Sequence, residues 1–494
     1  MIIDRRRFLR VAGLGAAAAA AGCTTGGVPA PGSRSATPPV TTKTTTAAGP
    51  PDWAALRQRI DGELLLPADA GYDAARRPFN ARFADRRPAA VARCGTPSDV
   101  QACIEAARNA RMPIAARSGG HSYAGYSTPE QGLVVDVGPM TQVEVRPGGS
   151  AVVGAGARLI GVYAALAAHG RALPAGSCPT VGIAGLTLGG GQGVLARLHG
   201  LTADRLRAVD IVLADGTRTT ATDGDLFWAL RGGGGGNFGI ATAFTFETVP
   251  APDLTVFALR FGAGTVPAVL AAWQDWVGAA PDELWSNCVA SAGSQGGRPS
   301  CRVGGCLAGT AAALDPLLDD LVRRAGTTPD SRSVTAKKHL DAMRYFAGCS
   351  TGPVERCLRA DPTAFVGSSR VLGKPMRDPS AVAAALDGRR GIDLIFDSLG
   401  GAVRRVAADA TAFPHRDALA TVQIYAGGTD PRPVAEVQAA LAELVGAGAY
   451  VNYLDPDQQD WAQAYYGGNL PRLRETARKL DPDGVFAFPQ GLTG

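Results

Sequence analysis

The most constraining feature of the chain is the stretch of residues 172–196, which contains no charged residue. Prolines and clustered glycines interrupt it, and no helical stripe is visible, which argues against a membrane span. Cys178 lies here in the sequence GSCPTVG, and GGGQG follows at residues 189–193. Glycine lets the backbone come close to a flat ring or to phosphates. The stretch therefore predicts backbone buried against a large ligand.

A second potential nucleophile, His121, occurs in a similar setting. It lies in the sequence RSGGHS, residues 117–122, directly after a predicted strand over 113–117. A histidine and a cysteine that are both bracketed by glycines suggest a cofactor held from two sides. The alternatives are a turn histidine and an inert buried cysteine.

A third glycine cluster covers residues 232–239, GGGGGNFG, and contains a literal GxGxxG pattern. The dinucleotide fingerprint requires a preceding strand and a following helix. Here a predicted helix over 225–230 precedes the glycines and a predicted strand over 240–249 follows them. We therefore reject a Rossmann fold and expect a loop whose N–H groups can bind phosphate.

The N-terminus has the features of a targeting segment. Residues 5–10, RRRFLR, fit a twin-arginine export signal, and the apolar run over 11–21 is too short to span a bilayer. Cys23 follows in a context that resembles a lipoprotein processing site; ordinary cleavage without lipid is the alternative. We predict a signal peptide at 1–23 and a disordered Thr/Pro/Gly tether at 24–52.

The formal charge of +5 comes from these two segments. Residues 1–23 hold four arginines and one aspartate, and the tether adds Arg34 and Lys43. The remainder is neutral, which argues against a nucleic-acid partner. No Cys/His spacing predicts a metal site. Among nine cysteines, Cys301 with Cys306 and Cys349 with Cys357 are close enough in sequence to pair.

Local patterns predict several elements of the first half. A helix is expected from Pro97 to about Ala110, with Ser98 as its N-cap. Turn residues predict two hairpins, one joining 143–146 to 151–154 and one joining 208–213 to 217–221.

Taken in order, RSGGHS, GSCPTVG with LGGGQG, GGGGNFG, YVNY at 450–453 and DPDGVF at 481–486 resemble the berberine-bridge-enzyme-like branch of the FAD-linked oxidases. The resemblance implies an α+β fold with a two-subdomain PCMH-type FAD-binding domain, as in vanillyl-alcohol oxidase. That domain would cover 53–250, with a core at about 83–252. A substrate domain at 251–449, an antiparallel sheet flanked by helices, would roof the flavin, and residues 450–494 would return to the FAD domain.

The resemblance also implies residue roles. His121 would bond the flavin 8α position and Cys178 the 6 position, giving bicovalent FAD. The other expected cofactor contacts are Arg117, Ser118, Gly119, Gly120, Ser122, Val181, Gly182, Gly185, Gly189, Gly190, Gly193, Asn237, Phe238, Gly239, Ile240 and Asn452.

For catalysis, Tyr453 matches the base position, with Tyr450 and Asp397 as further candidates. A phenol has a reference pKa near 10, so it needs assistance at neutral pH. A nearby carboxylate would raise that pKa further and could serve only as a proton relay. Aromatic packing is the alternative for both tyrosines, and a surface or capping carboxylate is the alternative for Asp397. Ile395 stands where some sugar-oxidising members have glutamine.

The resulting prediction is an exported FAD-dependent oxidase that transfers hydride from an alcohol or sugar-type substrate and then produces hydrogen peroxide from dioxygen. By the same resemblance, the position of Val181 would face the flavin edge, and the small side chain there favours dioxygen as acceptor. The alternatives are a dehydrogenase of the same fold and a non-catalytic solute-binding lipoprotein. The expected location is a cell-surface or periplasmic lipoprotein or a secreted protein, with membrane contact only through lipid on Cys23. The sequence does not indicate the oligomeric state.

Overall fold

The structure is a computed structural model that describes residues 51–293, 296–359 and 361–493. The predicted signal peptide, Cys23 and nearly all of the predicted tether lie outside these residues. Within the described ranges, no helix combines the length and the apolar character needed to cross a bilayer.

The first sheet has four strands and builds the start of the fold. Its order is β1-β2-β4-β3, with β2, β4 and β3 parallel and β1 antiparallel to β2. The strands are β1 Glu63–Leu65, β2 Ala90–Arg93, β3 Ile114–Arg117 and β4 Leu133–Asp136, accompanied by helices α1 Trp53–Arg59, α2 Tyr72–Ala75 and α3 Pro97–Ala110.

Helix α3 has the predicted span, but Ser98 is not its N-cap. Thr96 caps it: the Thr96 hydroxyl accepts from the Asp99 N–H at 3.2 Å, and the Asp99 carboxylate accepts from the Thr96 N–H at 3.1 Å. This reciprocal capping box satisfies two backbone donors, and Pro97 takes the first helical position, where no N–H is needed.

The second sheet has five antiparallel strands in the order β5-β6-β10-β8-β9. Both predicted hairpins are confirmed as the pairs β5/β6 and β8/β9. The strands are β5 Val143–Val145, β6 Ser150–Gly154, β8 Leu206–Val212, β9 Arg218–Ala221 and β10 Ile240–Glu247; β7 Arg171–Ala172 pairs separately with β11 Val249–Pro250. The helices of this region are α4 Leu159–Ala167, α5 Ile183–Leu188, α6 Ala196–His199 and α7 Gly224–Ala229.

The third sheet has seven strands in the order β15-β12-β14-β13-β17-β18-β16, and all neighbours are antiparallel. The strands are β12 Leu254–Phe261, β13 Leu284–Ser291, β14 Ser300–Leu307, β15 Ser331–Lys337, β16 Phe365–Leu372, β17 Ile392–Ser398 and β18 Ala420–Gly427. One face forms an apolar core with helices α8 Val266–Ala279, α9 Ala311–Ala325, α11 Ser380–Leu386 and α12 Arg432–Val445. Helix α10, His339–Phe346, contacts α4 instead.

The C-terminal segment packs against the first half of the chain. It contains a 3-10 turn at Val451–Tyr453 and helices α13 Trp461–Tyr466 and α14 Leu470–Leu480. The Tyr466 hydroxyl donates to the Gly233 carbonyl at 3.0 Å, and the Leu492 N–H donates to the Asn237 side chain at 3.1 Å. The mixture of helices with separate, mostly antiparallel sheets confirms the predicted α+β class.

Of the two suggested cysteine pairings, one is confirmed and one is wrong. Cys349 and Cys357 form a disulfide. The suggested pairing of Cys301 with Cys306 is wrong, because residues five apart on strand β14 point to opposite faces. The Cys301 sulfur instead lies 3.3 Å from that of Cys288 on β13, whereas the Cys306 thiol donates to the Val194 carbonyl at 3.9 Å.

Candidate active site

A large cavity lies between the glycine-rich loops of the first half and the face of the seven-stranded sheet opposite helices α8, α9, α11 and α12. Its volume is about 1330 Å³, and residues from both regions line it. Pockets for drug-sized ligands occupy roughly 300–1,000 Å³. The cavity is therefore large enough for a dinucleotide and a second molecule.

His121 lies in this cavity on the loop after β3. Its ring stacks on Phe79 at a centroid distance of 3.8 Å, and its Nε2 lies 3.0 Å from the Thr180 hydroxyl. Burial and, to a lesser extent, the positive charge of Arg158 lower the pKa of His121 to about 3. The imidazole is therefore neutral at physiological pH, and a neutral imidazole is a nucleophile.

Cys178 approaches the same threonine from the other loop. Its sulfur lies 4.0 Å from the Thr180 hydroxyl, and the Thr180 carbonyl accepts from Arg158 at 2.8 Å. Thr180 thus stands between the two predicted attachment residues, and Arg158 fixes its backbone. Neither Thr180 nor Arg158 was singled out from the sequence, although Thr180 lies only two residues from Cys178.

The loops that carry His121 and Cys178 touch backbone to backbone. A Cβ atom on Gly119 would lie 2.3 Å from the Gly182 nitrogen, and one on Gly182 would lie 2.4 Å from the Gly119 nitrogen. A side chain on either residue would force the loops apart. At Gly185, by contrast, a Cβ would meet no atom within 4 Å.

Most of the predicted cofactor contacts line the cavity. The lining residues among them are Ser118, Gly119, Gly120, His121, Ser122, Cys178, Val181, Gly182, Gly185, Gly193, Asn237, Gly239 and Asn452.

Arg117 does not line the cavity. Its buried guanidinium donates to the Asp136 carboxylate at 2.9 Å and to the Arg76 carbonyl at 3.1 Å. The structure therefore places the side chain of this expected cofactor contact away from the cavity: Arg117 anchors the base of the His121 loop to β4 and to the segment after α2.

Four further predicted contacts also lie outside the cavity lining. Phe238 and Ile240 are buried in the apolar core of the first half. A Cβ on Gly189 would lie 2.1 Å from the Asn452 side chain, and one on Gly190 would lie 3.0 Å from Phe413. These two glycines make room for the packing of other segments, so the structure gives them a packing role.

Tyr453 lies where the C-terminal segment enters the cavity. Its ring stacks on Tyr123 at 5.2 Å and meets Tyr450 edge-on at 5.0 Å. The Gln192 side-chain amide donates to the Tyr453 oxygen at 3.1 Å. Tyr123 and Gln192 were not singled out from the sequence, because nothing in their local motifs places them next to residue 453.

Tyr450 is buried, and its hydroxyl oxygen joins two segments. It accepts from the Gly191 N–H at 3.0 Å and from the Asn452 side chain at 2.9 Å. Burial raises the pKa of Tyr450 to about 12 despite these donors. Tyr450 is therefore protonated at neutral pH, and its contacts favour a positioning role over that of a base.

The seven-stranded sheet contributes the opposite wall. Asp397 on β17 lines the cavity and stands across from Asn287 on β13 and Thr421 on β18. Two residues earlier, Ile395 pairs with Gln423, whose side chain donates to the Tyr123 hydroxyl. An amide is thus present beside Ile395, but on the neighbouring strand.

Comparisons with known proteins agree with this architecture. The family described as "FAD binding domain" matches residues 88–222, and the family described as "Berberine and berberine like" matches residues 449–493. The FAD-linked oxidoreductase YgaK of Bacillus subtilis is 32% identical over 455 residues, covering 88% of this chain and 98% of the relative. Xylooligosaccharide oxidase of Thermothelomyces thermophilus is 31% identical, covering 84% and 89%.

A solved structure gives the same result. The structure of BBE-like 1 from Physcomitrella patens matches with a TM-score of 0.83 and 29% identity, covering 89% of this chain and 98% of that one. The resemblance proposed from the motifs is confirmed, as is the assignment as an enzyme. The chain belongs to the berberine-bridge-enzyme-like family and is an FAD-dependent oxidoreductase.

Proposed function

We propose that the protein oxidises a CH–OH group of a sugar-type substrate and delivers the electrons to dioxygen, with release of hydrogen peroxide. The observation that carries the proposal is the position of Tyr453, whose oxygen is held by Gln192 in a cavity with glycine loops on one side and a polar sheet face on the other. Bound FAD supplies the hydride acceptor and the reaction with oxygen.

The residues of the loop wall fit FAD. A neutral imidazole at His121 and a thiol at Cys178 line the cavity on either side of Thr180. The imidazole, and the thiol once it is deprotonated, are suitable nucleophiles toward an electron-poor ring. We propose that each forms a covalent bond to the flavin. Each bond would replace a flavin C–H bond, and the electron pair and two protons released would pass to dioxygen as hydrogen peroxide. Backbone N–H groups of the adjoining glycine loops would bind the phosphates.

Tyr453 would act as the general base. In its ionised form, the phenolate oxygen of Tyr453 would accept the proton of the substrate hydroxyl as hydride leaves the carbon, so that charge does not build up on the substrate oxygen. Asp397 lines the same cavity from β17 and would take part as a relay that carries the proton away.

The sheet wall supports a hydroxylated substrate. Polar and charged side chains from several of its strands line the cavity beside apolar ones such as Ile395 and Trp285, and they can donate to and accept from sugar hydroxyls. The relative named xylooligosaccharide oxidase acts, by its name, on sugar oligomers. The polar residues of this wall include Arg260, Asn287, Arg302, Asp393, Asp397, Gln423 and Tyr425.

The first experiment measures hydrogen peroxide from the purified holoenzyme with xylo-, cello- and chito-oligosaccharides and with small alcohols. We expect peroxide with at least one sugar oligomer, and bleaching of the flavin absorbance by the same sugar without air. Flavin that no sugar or alcohol reduces would contradict the substrate class.

Oxygen as electron acceptor is proposed because Val181, which lines the cavity, has a small side chain. We expect reduced enzyme to be reoxidised rapidly by air, and the Val181→Leu variant to be reoxidised several-fold more slowly with an unchanged rate of reduction by substrate. Slow reoxidation of the unaltered enzyme would favour the dehydrogenase alternative.

Export is proposed from the N-terminal segment alone. A twin-arginine route suits a protein that takes up its cofactor before crossing the membrane. Mass spectrometry of the mature N-terminus tests it: we expect cleavage before or near Cys23, with or without a diacylglyceryl group on that residue. A mature protein that retains Arg5 to Arg7 would contradict export by this route.

A further inference from the structure

We propose that Gln192 is a positioning residue for Tyr453: its amide N–H donates to the phenolic oxygen and stabilises the phenolate form that accepts the substrate proton. The inference concerns the same site and rests on the proposed function, but its principal test does not require turnover.

The orientation of the Gln192 amide follows from two hydrogen bonds. Its Nε2 donates to the Tyr453 oxygen at 3.1 Å, and its Oε1 accepts from the Thr421 hydroxyl at 2.8 Å. Thr421 is buried on β18. Because the threonine hydroxyl occupies the amide oxygen, the amide presents its N–H to the tyrosine.

The backbone on both sides of Gln192 is held in place, which keeps its side chain next to Tyr453. The preceding Gly191 N–H is bound to the Tyr450 oxygen. A Cβ on the following Gly193 would lie 1.8 Å from the Ala175 carbonyl oxygen, so this backbone is packed tightly against the Cys178 segment. One tripeptide therefore holds both tyrosines, Tyr450 through its backbone and Tyr453 through a side chain.

A neutral hydrogen-bond donor can lower the pKa of Tyr453, as a phenol requires if it is to act as a base near neutral pH. A phenol near pKa 10 is a poor base at neutral pH, and a carboxylate such as Asp397 can only raise that pKa. A hydrogen bond to a charged oxygen stabilises it by the equivalent of about one to two pKa units. Besides Tyr453, the titratable and charged groups that line the same cavity are His121, Tyr123, Tyr126, Cys178, Arg260, Cys301, Arg302, Asp330, Tyr345, Arg359, Asp361, Asp393, Asp397, Tyr425, Tyr450 and Tyr466.

The test is a titration of Tyr453 in the holoenzyme. Tyrosine labelled with carbon-13 at Cζ reports ionisation by NMR, and the Tyr453→Phe variant identifies the signal among the ten tyrosines. Gln192→Met keeps the length of the side chain and removes the donor. We expect the pKa of Tyr453 to rise by about one unit or more. An unchanged pKa in a variant with normal flavin content would overturn the proposal.

Thr421 provides a second, independent test of the same proposal. Thr421→Val keeps the shape but frees the amide to rotate, so we expect a smaller rise in the same direction. Thr421→Ser restores the hydroxyl and should return the pKa to that of the unaltered enzyme. If Gln192→Met fails to fold, this pair decides: equal pKa values in the valine and serine variants would contradict the account.

Kinetics then connect the titration to turnover. In Gln192→Met, the acidic limb of the kcat/KM profile should move to higher pH by the shift that NMR measures, because the base is protonated over a wider range. If no substrate is oxidised at all, the proposed function fails while the NMR titration still tests Gln192.

Discussion

The two walls of the cavity are built in different ways. The loop wall consists of short contiguous motifs, in which glycines and a nucleophile are separated by only a few residues, as around His121 and Cys178. The sheet wall consists of single side chains from several strands, such as Asn287, Asp397 and Gln423. The proposed cofactor contacts are thus encoded locally, whereas the proposed substrate contacts depend on strand register. The predictions below test this division, from the largest expected effect to the smallest.

Tyr453 lies on the C-terminal segment and belongs to neither wall. Its replacement should lower the rate of the reaction more than any other change considered below. Replacing it with phenylalanine removes the proton acceptor, so we expect kcat/KM to fall by about 10²- to 10⁴-fold. Flavin content and thermal stability should stay close to those of the unaltered enzyme. Steady-state peroxide assays and flavin absorbance check both points, and unchanged turnover would refute the assignment of the base.

A buried ion pair joins the first half of the chain to the region of the seven-stranded sheet, outside the cavity. Arg416, in the segment between β17 and β18, forms two 2.8 Å hydrogen bonds to Asp204, next to β8, and only 1% of its side chain is exposed. Arg416→Met leaves a buried carboxylate without its partner and should lower the free energy of unfolding by about 3–5 kcal/mol.

The matched control is Arg472, whose pair with Asp225 is half-exposed. Arg472→Met should cost about 1 kcal/mol or less. Denaturant unfolding of both variants gives the comparison. Similar losses in the two variants would show that the Arg416 pair does not hold the two regions together.

The loop wall itself can be tested with two glycines three residues apart. Gly182→Ala forces a methyl group against the Gly119 nitrogen and should destabilise the fold by about 1–3 kcal/mol. Gly185→Ala has open space and lies within helix α5, so stability should be unchanged or slightly higher. Thermal unfolding, with the change in flavin fluorescence as a second readout, distinguishes them, and an equal loss in both would remove the argument for loop contact.

The contrast between local motifs and contacts across strands also explains how much of the structure the sequence could predict. The hairpins of the second sheet and the span of helix α3 follow from turn residues and local periodicity, so they were predicted closely. The cap of α3 was misplaced because Thr96 and Ser98 are both good caps, and only the reciprocal bond with Asp99 decides between them.

The other features that the sequence did not reveal are tertiary contacts. Arg117 was expected among the cofactor contacts because of its motif, and only the fold shows that its side chain pairs with Asp136. Gln192, Tyr123 and Thr421 are distant in sequence from Tyr453, and only folding brings them to its vicinity or to its hydrogen-bond network. Such contacts carry no local motif, so one sequence does not reveal them.

The central claim is that one flavin is bound through both His121 and Cys178, and peptide mass spectrometry of the holoenzyme tests it most directly. The account predicts that proteolysis after acid denaturation yields one FAD joined to the peptide that contains His121 and to the peptide that contains Cys178. Recovery of both peptides with unmodified masses and free flavin in the supernatant would contradict it.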